Sequence, residues 1–230
     1  GEIDKARENF IKAIQINPNY LDARIYLGRT YIKANDFDKA KKVFDNITRK
    51  NQLAIYYKGL LASFYGEYES AKNLLADSIG INTNEEVSEK ARTILKAFQE
   101  FARNQGGQDM HLKTLLARSY NQVEEYNMGV PVIFEILKEQ KDYRDAWIIL
   151  GYAYLNTNQI QDAVYAFETA KRLDPQKPET LYFLGLSYFA QNNLAKAIQE
   201  IEQAVTNGFE PQVQADQKLA EIYLLNGNFD

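Results

Sequence analysis

Residues 147–175 read WIILGYAYLNTNQIQDAVYAFETAKRLDP, and residues 181–211 read LYFLGLSYFAQNNLAKAIQEIEQAVTNGFEP. At a shift of 34 residues, Leu150, Gly151, Tyr154, Ala163, Phe167 and Ala170 recur as Leu184, Gly185, Tyr188, Ala197, Ile201 and Ala204. The same shift carries Ala163 back to Gly129 and Ala6 forward to Ala40, while Ala71 follows Ala40 after 31 residues. A fixed period of this length is the mark of a stacked-repeat architecture.

Each unit holds two stretches of 3.6-residue periodicity split by a polar turn, such as Asn156-Thr157-Asn158-Gln159 or Gln191-Asn192-Asn193. The unit is therefore a helix-turn-helix hairpin. Gly28, Gly59, Gly151 and Gly185 fall inside the first helix, where glycine costs about 1 kcal/mol relative to alanine. Close approach of the second helix, with Ala40, Ala71, Ala163 and Ala197 at the contact, offsets that cost.

The period of 34 with Trp147, Leu150-Gly151, Tyr154, Ala163, Phe167, Ala170 and Pro175 in one continuous unit resembles the tetratricopeptide repeat pattern. The resemblance runs through most of the chain. It is clear at 21–52, 144–177 and 178–212, weaker near 52, where Ala62 stands in a Tyr slot, and near 110, where Ala117 and Gly129 take the small slots. It implies an all-α fold, a right-handed superhelical solenoid of hairpins.

Residues 84–103 break the alternation: Val87, Ala91, Ile94, Leu95, Phe98 and Ala102 describe one long helix without a hairpin partner. Two lobes are expected, 1–103 with the helix 84–103 covering its end, and 109–230, joined at 104–108 around Gly106-Gly107. Charge separates them as well. Residues 1–103 carry 17 Lys+Arg against 14 Asp+Glu, a balance of +3, and residues 104–230 carry 10 against 17, a balance of −7. The chain opens and closes at the same phase of the repeat, so the second lobe reads as truncated mid-repeat, and head-to-tail self-association through the uncovered ends is expected.

At 45% hydrophobic and 25% charged residues the composition is that of an ordinary folded, water-soluble protein. No apolar stretch approaches the roughly 20 residues that span a bilayer. The absence of cysteine removes thiol chemistry and disulfides, and together with the lack of a leader at the start of the chain it favours the cytoplasm. A single histidine, His111, cannot build a multi-histidine metal site. Nucleotide, hydrolase and metalloprotease motifs are absent. Glu85-Glu86 and Glu124-Glu125 fall at helix starts, where carboxylates meet the helix dipole. Neither a catalytic residue, a cofactor nor a metal is expected, and the net charge of −4 argues against a nucleic-acid partner.

By repeat phase, Tyr31, Tyr120, Tyr154, Tyr188 and Tyr223, with Phe10, Phe44, Phe167 and Ile201, belong to the core between helices. The resemblance implies that the opposite face of the first helices lines a concave groove. In the first lobe this face carries Arg29, Lys33, Tyr56 and Phe64. In the second it carries Arg118, Asn121, Ile148, Tyr152, Leu155, Tyr182, Leu186 and Phe189. The last six make an apolar patch large enough for a binding surface. One subset of the family grips chaperone C-terminal carboxylates with Lys, Asn and Arg. This chain has Ile25 and Arg29, Tyr56 and Leu60, Ile148 and Tyr152, Tyr182 and Leu186 at those phases, so that clamp is missing. The expected function is a non-enzymatic scaffold or adaptor holding a peptide segment of a protein partner in the groove. The alternative is a regulatory or substrate-docking arm of an enzyme whose catalytic domain lies outside these residues.

Overall fold

The computed structural model describes residues 1–103 and 109–227. Every element among them is an α-helix: α1 (Glu2–Ile16), α2 (Leu21–Lys33), α3 (Phe37–Asp45), α4 (Gln52–Phe64), α5 (Tyr68–Ile81), α6 (Glu85–Arg103), α7 (Asp109–Gln122), α8 (Tyr126–Glu139), α9 (Arg144–Asn156), α10 (Ile160–Leu173), α11 (Pro178–Ala190), α12 (Leu194–Thr206) and α13 (Gln212–Asn226). Two compact units divide the chain, residues 1–132 and 133–230, and the division falls inside α8. The expected joint at 104–108 lies outside the described residues.

The turn inside each hairpin is built the same way. Asn35, Gly66, Glu124, Asn158 and Asn192 all take a positive φ, between 58° and 78°. The amide that follows each one donates back across the turn, from Asp36 to the Tyr31 carbonyl, Glu67 to Ala62, Glu125 to Tyr120, Gln159 to Tyr154 and Asn193 to Tyr188, at 2.8–2.9 Å. This left-handed ending satisfies carbonyls at the close of the first helix, and it suits Gly and Asn, which tolerate the conformation. Glu124 is the exception in residue type. The second helix then starts on a side-chain cap where one is available: Asp36 accepts from the Lys39 amide and Asn193 from the Lys196 amide.

Inside the hairpins each first-helix glycine faces the residue sixteen positions later. Gly28 meets Phe44, Gly59 meets Leu75, Gly151 meets Phe167 and Gly185 meets Ile201. Large side chains, not the alanines alone, fill the notches. Phe44, Phe167, Leu75 and Ile201 are fully buried there, beside the equally buried Ala40, Ala71, Ala163 and Ala197.

In residues 1–132, α6 packs on both α5 and α7. Gln52, at the start of α4, fixes its beginning: its amide donates to the Asn84 carbonyl at 3.0 Å and to Ser88 Oγ at 2.9 Å, and its carbonyl oxygen accepts from the Asn84 amide at 2.7 Å. Val87, Ala91, Ile94, Ala97 and Phe98 form the buried stripe of α6. With this odd helix inserted, α7 comes back across α4, where Tyr120 and Ser63 share a 2.7 Å hydrogen bond.

In residues 133–230, α9 to α13 stack in succession. Phe167, Leu181, Leu184, Ala197, Ile201, Ala204, Ala215 and Ile222 are buried at the centre. Lys171 of α10 reaches the nearly buried Glu200 of α12 at 2.7 Å.

Two substitutions test these devices by urea unfolding. A Cβ at Gly185 would stand 2.5 Å from Ile201 Cγ1 and 3.1 Å from the Ala197 carbonyl oxygen. Gly185→Ala is therefore expected to lower stability by about 1–3 kcal/mol despite the better helix former. Glu124→Asn, which relieves the left-handed φ of 65°, is expected to raise it by about 1 kcal/mol.

Candidate functional site

The repeat phase places the candidate groove residues on the first helix of each hairpin, and the two units treat them differently. In residues 1–132 the inner face of α2 and α4 is occupied by the chain itself. Tyr56 is 1% exposed and Asn121 5% exposed. The Tyr56 ring lies edge-on to Tyr57 at 5.2 Å, and its hydroxyl is buried without a hydrogen-bond partner. Tyr57 donates to Glu125 Oε1 at 2.8 Å. Arg29 is half-buried, its guanidinium 5.5 Å from the Tyr26 ring centre and 5.7 Å from that of Tyr57. Phe64 packs on Phe37 with ring centres 4.3 Å apart. Lys33 and Arg118 are exposed.

The sequence assigns Glu125 to a helix start as a dipole-facing carboxylate. Its carbonyl does accept from the Met128 amide at the entry to α8, but its side chain turns inward. Burial pushes its carboxyl above the usual range, against the Tyr57 hydrogen bond and the charges of Arg29, Lys90 and Lys33, which favour the ionised form. A left-handed residue at the hairpin turn, recurring at the repeat spacing, would have pointed to the turn; nothing in the local sequence shows that Glu125 faces Tyr57 across 68 positions.

In residues 133–230 the corresponding face stays half-open. Ile148, Tyr152 and Leu155 of α9 and Leu186 and Phe189 of α11 are half-buried and rest on the core cluster. Tyr182 is the buried member, 7% exposed, its ring stacked on Phe209 at 4.1 Å. Phe183 links the helices, edge-on to Tyr152 at 5.4 Å and to Tyr182 at 5.5 Å. At the α13 side Lys218 Nζ sits 5.0 Å from the Phe189 ring centre. Burial raises the Tyr182 hydroxyl above the ordinary tyrosine value. Structure thus brings together the six residues of the second patch, one as a support and five as its surface, and leaves the first-lobe set dispersed between core and solvent.

His111 lies half-buried at the start of α7, 6.0 Å from the Phe101 ring. Among the described residues no three His, Asp or Glu side chains gather as a metal site, and no helix is long and apolar enough to cross a membrane.

Residues 1–64, 136–177 and 178–207 each match a tetratricopeptide repeat profile. The chain belongs to the tetratricopeptide repeat family. Among curated relatives it is 24% identical over 214 residues to Protein CTR9 homolog of Arabidopsis thaliana, covering 89% of this chain and 18% of that protein. It is 21% identical over 274 residues to TPR repeat-containing protein MJ1428 of Methanocaldococcus jannaschii, covering 86% of this chain and 48% of that protein. The chain thus spans less than half the length of both. Among solved structures, YrrB, a TPR protein described as having an unusual peptide-binding site, aligns at 17% identity and TM-score 0.45, covering 92% of this chain and 98% of that one. TTC0263, a thermophilic TPR protein of Thermus thermophilus, aligns at 18% identity and TM-score 0.47, covering 77% and 84%. Tetratricopeptide repeat proteins are generally non-catalytic scaffolds, and this chain has the helical-repeat fold of that family.

The burial difference within the patch has a measurable consequence for this tetratricopeptide repeat protein. Tyr182→Ala removes a ring stacked in the core and is expected to cost about 3–5 kcal/mol in urea unfolding. Phe189→Ala, at a half-buried surface, is expected to cost less than about 2 kcal/mol.

Proposed function

We propose that residues 133–230 bind a peptide segment of a protein partner on the face formed by Ile148, Tyr152, Leu155, Leu186 and Phe189, and that the scaffold acts without catalysing a reaction. The supporting observation is that these side chains are half-buried on a packed core, with Tyr152 held edge-on by Phe183 and Phe189 held beneath Lys218. Side chains fixed in this way lose little further freedom on binding, and aromatic anchors in such positions carry a large share of interface energy. The floor is apolar, with Lys218 at its α13 side, which fits apolar or aromatic peptide side chains.

Screening a displayed peptide library against the purified chain tests this reading. Peptides with apolar or aromatic anchors are expected to be enriched, and their affinity to fall at least about tenfold for Tyr152→Ala or Phe189→Ala with the circular dichroism spectrum unchanged, a loss of about 1.4 kcal/mol or more. Equal affinity of both folded variants and the parent chain would overturn it. Tyr182 is left intact in this test because its removal would disturb the core.

A further inference from the structure

In residues 1–132 the turns that join successive hairpins enclose a small pocket. It lies between the α1–α2 turn and the α3–α4 turn, has a volume of about 220 Å3, and is lined on its polar side by Arg24, Asn46, Thr48 and Arg49 and on its apolar side by Leu21 and Ile47. Two of these side chains are guanidiniums, and no carboxylate lines the pocket. Arg24 is half-buried, and its Nε donates to the Pro18 carbonyl at 2.9 Å, which fixes the guanidinium plane and leaves both terminal nitrogens free to donate. Arg49 is exposed and makes neither an ion pair nor a hydrogen bond among the described residues. The Thr48 hydroxyl and amide are likewise unbonded there.

The α10–α11 turn of residues 133–230 treats an arginine differently. Asp174, four residues before α11, accepts from Arg144 at 2.6 Å, and Arg144 also pairs with Asp145 at 2.7 Å. Four residues before α4 the corresponding position is Thr48, which carries no charge. The acid closest before it in sequence, Asp45, lies 3.7 Å from Lys41. The first unit therefore keeps two arginines at a hairpin junction and omits the carboxylate that neutralises the arginine in the second. Like charges lining one pocket with no acid among them favour an anion from outside.

We propose that this pocket binds the phosphoryl group of a phosphorylated serine or threonine in a protein partner. A phosphate monoester carries close to two negative charges at neutral pH and presents three acceptor oxygens. Arg24 and Arg49 supply two guanidiniums whose paired N–H groups match such oxygens, and Thr48 adds a hydroxyl. A carboxylate is satisfied by one guanidinium, so the second arginine selects for the phosphoryl group. The pocket has room for a phosphoryl group but not for a whole nucleotide, and no aromatic ring lines it on which a base could stack. That favours a protein over a nucleic acid as the carrier. None of these residues belongs to the face of residues 133–230 described above, so the two readings stand or fall separately.

NMR titration of the full chain at about pH 7.5, where the phosphoryl group is dianionic, tests the pocket with three blocked tripeptides whose central residue is phosphoserine, glutamate or serine, and with inorganic phosphate. The phosphoserine tripeptide is expected to give saturable shifts of the Arg24 Nε–H and of the Thr48 and Arg49 amides, at least about tenfold tighter than the glutamate tripeptide, and the serine tripeptide none. Arg24→Gln and Arg49→Gln are each expected to weaken that binding at least about tenfold with the circular dichroism spectrum unchanged, and Arg172→Gln, outside the pocket, to leave it as it was. Should Arg24→Gln fail to fold, the exposed Arg49 still decides. Absence of saturable shifts at the pocket, equal affinity for the glutamate tripeptide, or unchanged affinity in Arg49→Gln overturns the proposal. Binding of inorganic phosphate without the phosphoserine tripeptide marks an adventitious ion only and overturns it too, as does a single-stranded oligonucleotide that shifts the same signals more tightly than the tripeptide.

Discussion

The interlock of a glycine with a large side chain sixteen residues later is the contact on which each of the four best-formed hairpins depends. A helix interior without a Cβ is a poor choice for an isolated helix. It becomes a good one when a Phe, Leu or Ile ring or branch from the second helix drops into the notch, because close packing returns dispersion contacts that a wider pair would lose. Gly28 with Phe44, Gly59 with Leu75, Gly151 with Phe167 and Gly185 with Ile201 repeat that solution. The left-handed turn residue fixes the chain reversal, and the notch fixes the distance between the helices. With both repeated, the first helices of successive hairpins within a unit present their outer sides as one continuous face. That face is available for function because the core does not need it.

The odd helix α6 decides what happens to this face in residues 1–132. Two hairpins followed by another hairpin would leave the inner side of α2 and α4 uncovered. One extra helix, fixed at its start by the Gln52 network to Asn84 and Ser88, reverses the alternation and sends α7 back over α4. Tyr56, Tyr57, Ser63 and Tyr120 then meet in the interior, with the half-buried Glu125 at the edge of the polar cluster. Tyr57 with Glu125 and Ser63 with Tyr120 make the hydrogen bonds that stabilise such a cluster, while the Tyr56 hydroxyl goes without one. No such helix interrupts α9 to α13, and there the equivalent face retains its half-buried aromatics.

Much of this architecture was legible in the sequence because it follows from local periodicity. The hairpins and the glycine slots repeat at 34 residues; of the aromatic positions assigned to the core by phase, Phe44, Phe167, Tyr120 and Tyr188 are buried, whereas Phe10, Tyr31, Tyr154 and Tyr223 are only half-buried. The odd helix was legible too, as a break in alternation at 84–103. Its consequence was not, since the contact of Glu125 with Tyr57 joins positions 68 apart and depends on which way α7 returns. Phase alone therefore assigned Tyr56 and Asn121 to a groove, whereas both are buried. Likewise Tyr182 shares its phase with exposed groove positions but finds Phe209 from the loop before α13 stacked on it, a contact that depends on that loop's path.

The apolar character of the open face bears on how it could discriminate among partners. Residues 104–230 carry a balance of −7, yet the acids nearest the ends of the strip are already engaged: Arg144 pairs with Asp145 and Asp174, and Lys177 with Glu179. The Lys177–Glu179 pair is exposed and contributes little energy, whereas the Arg144 pairs are half-buried. In the proposed binding, the acidic balance of residues 104–230 would favour the approach of basic segments while the contact energy would come from apolar anchors. Rate of encounter and depth of binding are then set by different residues. Salt would slow the first without much altering the second, which separates this face from a surface whose affinity rests on ion pairs.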